Sequence, residues 1–302
     1  DADVAPHALG LCDVLDAHAI RDGDEIDEEL WSLDEAADLG IELVRPHRPR
    51  GHVFSHSMVD PTGDGIYDWT LTDHVVEEAQ DRGLSLFVTV YTTSDPRPKD
   101  ESPPGLIPVF PPDDTAAWEA FVQALVERYD GDGTDDMSGL VIPVYAWEFG
   151  NEPSCSVGET LCHQAFFDVV STGYEAAHAA DPDAIVLPGA AAPIWKPFGD
   201  HELNPAPADT YDAFVDMGGL DYADAFSFHY PTGSFNMTAA DHLAYWRELV
   251  GPDMELWLSE TASRSVGDDS VVSPDEADEA QWVDDHLDSA FEAGATRVFW
   301  CL

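Results

Sequence analysis

Lysine is almost missing from this chain. Lys99 and Lys196 are the only two, and Lys and Arg together number 12 against 61 Asp and Glu, for a formal net charge of -49 over 302 residues. A surface so short of cations repels nucleic acid and anionic membranes, so neither is expected as a partner. Long apolar runs are missing too: nothing approaches the roughly 18 uninterrupted apolar residues that mark a membrane span. No Cys-x-x-Cys or histidine-rich spacing offers a zinc site. The first strand-like segment offers only an isolated Gly10, where a doubly wound dinucleotide fold wants a glycine-rich turn. No repeat at solenoid periods and no secretory leader is visible. The chain opens on Asp1 without an initiator Met, so something upstream is expected to have been removed or never included.

What is present supports a packed core: 44% hydrophobic residues, with 9 Trp and 14 Phe, which argues against disorder. The acidic excess then reads as adaptation to molar salt, where the screening length shrinks to about 3 Å, and the fold is expected to loosen in low salt. Of the four cysteines, Cys155 and Cys162 flank a flexible Ser-Val-Gly-Glu-Thr-Leu and could close a small disulfide, which points to an oxidising compartment. Cys12 and Cys301 fall in the first and last strand-like segments, and lie close if those strands are neighbours.

Strand-like and helix-like segments alternate eight times. The strands read as Ala8–Cys12, Ile41–Arg45, Leu84–Tyr91, a fourth beginning with the apolar run Leu140–Ala146, Ala184–Gly189, Ala225–Tyr230, Glu255–Glu260 and Thr296–Trp300. Helical periodicity covers Glu28–Leu39, Thr72–Arg82, Asp114–Tyr129, His163–Ala180, Thr210–Met217, Ala239–Val250 and Asp275–Ala293, with a Pro-rich loop from Pro96 to Pro112. Alternating units of this length predict a parallel α/β sheet closed into a (β/α)8 TIM barrel, one catalytic domain over 1–302. The eighth helix is missing: either the chain is shortened or something else covers the seam between strands eight and one.

Two glutamates end apolar strands. Glu152 closes Trp147-Glu148-Phe149-Gly150-Asn151-Glu152-Pro153, and Glu260 closes Glu255-Leu256-Trp257-Leu258-Ser259-Glu260. Barrels carry their chemistry at strand C-termini, and two carboxylates facing across a sugar can act as acid and nucleophile. One of them must stay protonated near neutral pH, so a raised pKa is expected there.

The Trp-Glu-Phe-Gly-Asn-Glu-Pro run resembles the strand-four signature of clan A glycoside hydrolases, the retaining (β/α)8 enzymes. Leu258-Ser259-Glu260-Thr261 resembles their strand-seven nucleophile segment, and Ser227-Phe228-His229-Tyr230-Pro231 looks like their strand six. Together with Val186-Leu187-Pro188-Gly189-Ala190-Ala191, the pattern is similar to family 39 and nearly as similar to family 5. The resemblance implies that Glu152 is the acid/base and Glu260 the nucleophile. Asn151 would bond the sugar 2-hydroxyl, and Arg45 would hold the nucleophile ionised, with an internal pair to Glu148 as its other use. His229 or Tyr230 would orient the nucleophile; adjacent strand residues face opposite sides, so only one of them points inward. Trp300 matches the clan's sugar-stacking platform, and Trp195 and Tyr91 are candidates for further subsites.

Asp130-Gly131-Asp132-Gly133-Thr134-Asp135-Asp136 has the look of a calcium loop, although Val141 stands where an EF-hand has its Glu; plain turn chemistry in an acidic chain explains it as well. No cofactor is required by the reading. The expected activity is retaining hydrolysis of β-linked oligo- or polysaccharides. A non-catalytic carbohydrate-binding barrel and a transglycosylase using the same carboxylates are the alternatives. Polymeric sugars favour a secreted protein, while a salt-accumulating cytoplasm would also suit the charge.

Overall fold

The computed structural model describes residues 8–12, 31–46, 53–92, 114–155, 157–194, 205–231, 238–262 and 276–301. Its strands are β1 (Ala8–Cys12), β2 (Leu43–Arg45), β3 (Ser85–Val90), β4 (Ala146–Asn151), β5 (Val186–Ala190), β6 (Ala225–Pro231), β7 (Glu255–Ala262) and β8 (Arg297–Cys301). They pair in parallel in the order β5-β4-β3-β2-β1-β8-β7-β6. The two ends of that row meet at Ala191, whose N–H donates to Ser227 O and whose carbonyl accepts from His229 N–H. The chain is thus a nearly closed (β/α)8 barrel.

Around it run α1 (Trp31–Asp38), α2 (His56–Val59), α3 (Thr70–Asp81), α4 (Thr115–Tyr129), α5 (Thr160–Ala180), α6 (Pro205–Asp216), α7 (Ala239–Val250) and α8 (Glu276–Glu292). Local chemistry sets their starts. Asp114 caps α4 by accepting from the N–H groups of Ala116 and Ala117, and Thr238 with Asp241 forms a reciprocal capping box on α7. The buried stripe of α4, Trp118, Phe121, Val122, Leu125, Val126 and Tyr129, follows helical spacing. The short α2 and a 3-10 turn at Gly219–Tyr222 were not legible in the periodicity. Trp195, the Pro96–Pro112 loop and residues 28–30 lie outside the described residues. Among the described residues no helix is long and apolar enough to cross a membrane.

One expected strand moves. The run Leu140–Tyr145 is not part of β4, which begins only at Ala146. Pro143 has no N–H for a ladder, Val141 is 80% exposed, and the Val141 N–H donates to Gln80 Oε1. Pairing toward β3 starts where Tyr145 N–H meets Leu86 O. The signature run is itself the strand, and Glu152 still follows its end.

The barrel interior is layered. Cys12, Leu43, Phe87, Ala146, Leu187, Ala225, Trp257 and Phe299 form an apolar cluster of their own. Gly10 leaves room for the Phe299 ring, which a Cβ there would strike. Two positions further along β2, β3, β4 and β6, the same inward face carries Arg45, Thr89, Glu148 and Ser227, all buried. The alternate residues, among them Val44, Val88, Trp147, Phe149 and Leu258, pack toward the helices. A disulfide joins Cys12 to Cys301 across the β1–β8 seam, with Cα atoms 4.5 Å apart. Another, Cys155–Cys162, closes the loop after Glu152, with Cα atoms 5.7 Å apart.

Candidate active site

At the C-terminal mouth of the barrel Arg45, from the buried polar layer, meets Asn151, Glu152, His229 and Glu260. Arg45 ends β2 and is fully buried. Its Nη1 donates to Glu260 Oε1 at 2.7 Å and its Nη2 to Asn151 Oδ1 at 2.7 Å. Nη2 and Nε also reach Glu148 Oε2, at 2.6 and 3.2 Å. The ion pair with Glu148 and the bond to Glu260 therefore coexist. Burial opposes the guanidinium charge, but Glu148 and Glu260 more than offset that and hold its pKa above the ordinary value.

Glu260 reaches this point because β7 carries an extra residue. Leu258 pairs with Phe228 and Val298, yet the next pairs are Glu260 with His229 and Thr261 with Trp300. Ser259 is the bulge. A one-residue insertion reverses the alternation, so Trp257 and Glu260 both face the interior although three positions apart. β7 also runs two residues past Glu260, to Ala262, rather than ending on it.

Glu152 is placed by backbone turns. Gly150 has φ +93° and Glu152 itself φ 47°, in the left-handed region. Its N–H is held by Ala190 O. His229, buried on β6, links the two glutamates: Nδ1 lies 2.8 Å from Glu152 Oε1 and Nε2 lies 3.3 Å from Glu260 Oε1. The second contact is close enough for charge attraction but is not aligned as a hydrogen bond. One oxygen of Glu152 and one of Glu260 lie within 4.8 Å of each other and of a His229 nitrogen. Both carboxylate side chains keep an open edge, 31% and 24% exposed.

The electrostatics differ from the raised carboxyl pKa expected from sequence. Burial pushes Glu152 up, but the His229 hydrogen bond and charge, with Arg45 behind, bring it below the usual carboxylate value. Burial pushes His229 down, and Glu260 and Glu152 bring it above the usual imidazole value. The two shifts run in opposite directions, as a coupled acid and base across a hydrogen bond do.

The other candidates divide. Tyr91, just past β3, is buried and its hydroxyl is pushed well up, first by burial, with Arg45 pulling the other way and Glu148, Glu260 and Glu152 adding to it; it belongs to the site. Tyr230 does not share the His229 side. Its ring packs on His242 and stacks with His286 at 5.5 Å, between β6 and the helices. Trp300 is also placed differently from a platform over the glutamates. Phe299 takes the inward position of β8, so the Trp300 ring turns to the helix side, 6.2 Å from His286. The loop after Glu152 is anchored on α6, where Thr210 Oγ1 accepts from Cys155 N–H and Asp209 from Gly158 N–H.

Asp130, Asp132 and Asp136 each bring a carboxylate oxygen within 4.8 Å of the others. Asp135, at φ 49°, is not one of the three. Burial first, then Asp132, Glu127 and Asp136, push Asp130 up to about 6. This loop joins α4 to β4, at the opposite end of the barrel from Glu152.

No protein-family model and no curated protein sequence matches the chain. Solved structures do. A glucosidase from Croceicoccus marinus superposes with a TM-score of 0.66 at 19% identity, over 99% of this chain and 59% of the other. A family 39 glycoside hydrolase from Bacteroides cellulosilyticus WH2 gives 0.58 at 14% identity, over 97% and 55%. The chain shares their barrel fold. A family 1 β-glucosidase from Thermotoga maritima gives 0.61 at 13% identity, over 98% and 87%. The chain spans little more than half the length of the first two.

Proposed function

We propose that the protein is a retaining glycoside hydrolase acting on β-linked oligo- or polysaccharides, with Glu260 as nucleophile and Glu152 as acid/base. The observation that carries this reading is the approach of the two carboxylates to within 4.8 Å around one imidazole. Double displacement needs carboxyl groups about 5–5.5 Å apart, whereas an inverting site leaves about 6.5–9.5 Å for a water. Glu260 attacks the anomeric carbon, the glycosidic C–O bond breaks, and the leaving oxygen takes a proton from Glu152. Water, deprotonated by Glu152, then releases the sugar from Glu260.

We infer from the opposite shifts of Glu152 and His229 that in the free protein their shared proton rests on the imidazole. We read His229 as the reservoir that passes it across the 2.8 Å contact to Glu152 as the entering sugar excludes water from the carboxylate. Arg45 is committed to Glu148, Glu260 and Asn151, so a neutral sugar is favoured over a uronide. Clustered fold relatives that include two glucosidases are consistent with that class. The reaction needs no cofactor; a cation on the Asp130 loop would be structural. Two closed disulfides support a secreted or extracellular site of action.

The test is chemical. Glu260→Ala should abolish hydrolysis of nitrophenyl β-glycosides, and azide should restore release of nitrophenol while yielding the inverted glycosyl azide. Full activity of that variant ends the assignment. The wild-type protein should also gain the mass of a fluoro-sugar; a barrel that only binds carbohydrate gains none.

A further inference from the structure

Glu148 is a carboxylate that the proposed reaction does not consume, and its cost is considerable. Its side chain is fully buried inside the barrel, where an ion pair seldom stabilises more than apolar residues of the same size would. Every donor around it is nonetheless placed to keep it. Arg45 from β2 donates twice to Oε2, Thr89 from β3 donates to Oε2 at 2.9 Å, and Ser227 from β6 donates to Oε1 at 2.6 Å. The carboxylate is held from three strands while its own strand, β4, carries Asn151 and Glu152.

The consequence lies in what is left of Arg45. The Nε edge of the guanidinium is fixed on Glu148, and its Cζ lies over the Phe87 ring, 5.7 Å from the centroid. That fixes the directions of Nη1, which meets Glu260, and of Nη2, which meets Asn151. The negative charge on Glu148 also offsets a cation that would otherwise act undiminished on both reacting glutamates. We propose that Glu148 is a positioning residue for the reaction, acting through Arg45 to aim Glu260 and to balance the charge of the site. This inference rests on the assignment of Glu152 and Glu260 made above.

The charged and titratable groups around Glu148 and its arginine are Arg45 on β2, Tyr91 beyond β3, Glu152 beyond β4, His229 on β6 and Glu260 on β7, with Tyr211 on α6 behind them; Arg45, Tyr91 and Tyr211 feel the Glu148 charge directly. Removing a negative charge from their midst lets the site as a whole release protons more easily. Glu148→Gln keeps the shape: an amide oxygen in the place of Oε2 accepts from Arg45 and Thr89, and the Ser227 hydroxyl can turn to accept from the amide N–H. The profile of kcat/KM against pH for a nitrophenyl glycoside should then move to lower pH on both limbs, by about one unit, as expected for an uncompensated arginine beside carboxylates. kcat should fall by about a hundredfold, the scale of a misplaced reacting group, with KM nearly unchanged.

A residue needed only for folding would lower the melting temperature and the amount of active protein without moving either limb. Unmoved limbs in a folded Glu148→Gln variant overturn the proposal. If that variant does not fold, Ser227→Ala decides: it loosens Glu148 without changing charge and should lower kcat with KM unchanged, and an unaltered kcat is the refuting result. Wild-type protein serves as the control. Active wild type with an unchanged variant refutes only the role of Glu148, whereas wild type that neither turns over nor gains a fluoro-sugar refutes the glycosidase reading, and this inference falls with it.

Discussion

Glu152 occupies the left-handed region at φ 47°, where a residue with a Cβ loses about 1–2 kcal/mol relative to the right-handed form. Such strain persists only where the surroundings over-determine it, and here Ala190 O holds the N–H while His229 holds the carboxylate. The pair decides how activity follows pH. Burial lowers the His229 pKa, but Glu260 and Glu152 raise it above its ordinary value, so on the proposed reading loss of the acid function on raising pH follows His229 rather than Glu152. In His229→Gln the proton must reside on Glu152 alone, so the alkaline limb of kcat/KM should move down toward the carboxylate range. A limb that moved up would mean the imidazole merely depresses Glu152 and stores nothing. The two catalytic candidates were legible because each follows an apolar segment. His229 could not be told from Tyr230 in sequence, since the choice depends on register with β7.

At the scale of elements, the sequence announced the order of strands and helices but not their phase. Ser259 looks like any strand residue, yet as the bulge it turns Glu260 inward. Trp300 was read from its place at the end of the last strand, and only the inward Phe299 shows why its ring faces the helices. The run before β4 misled for a related reason: apolar content says buried, but Pro143 denies it a ladder. Packing between elements holds β4 in place. Gly173 on α5 sits against Phe149, where an added Cβ would lie 2.8 Å from the ring. Gly173→Val should therefore force α5 away from β4 and cost about 1–3 kcal/mol, read from the midpoint of thermal or denaturant unfolding. Since Phe149 is two residues from Asn151, kcat should fall as well. A variant of unchanged stability would show that α5 does not brace the strand.

Over the whole molecule, closure and charge pull against each other. The Cys12–Cys301 link spans 289 positions and ties the first strand to the last, which limits how far the barrel can open. Charge works toward opening. With 12 cationic residues against 61 acidic ones, most carboxylates have no partner to pair with. Among the described residues, Arg82 is committed to Asp34 and Glu78, Arg128 to Asp73, Arg297 to Glu255, and Arg45 to the site. Repulsion among the remaining acids is long-ranged in dilute buffer, where the screening length is about 10 Å at 0.1 M salt, and falls to about 3 Å at 1 M. Unfolding spreads the charges apart, so low ionic strength favours the unfolded chain. The melting temperature should rise steadily between these two concentrations of potassium chloride. Sodium and potassium chloride should act alike if screening is the cause, whereas sucrose, which is excluded from the surface without screening charge, should do less. A melting temperature that stayed flat or fell across that range would show that the acidic surface imposes no net repulsion on the folded barrel.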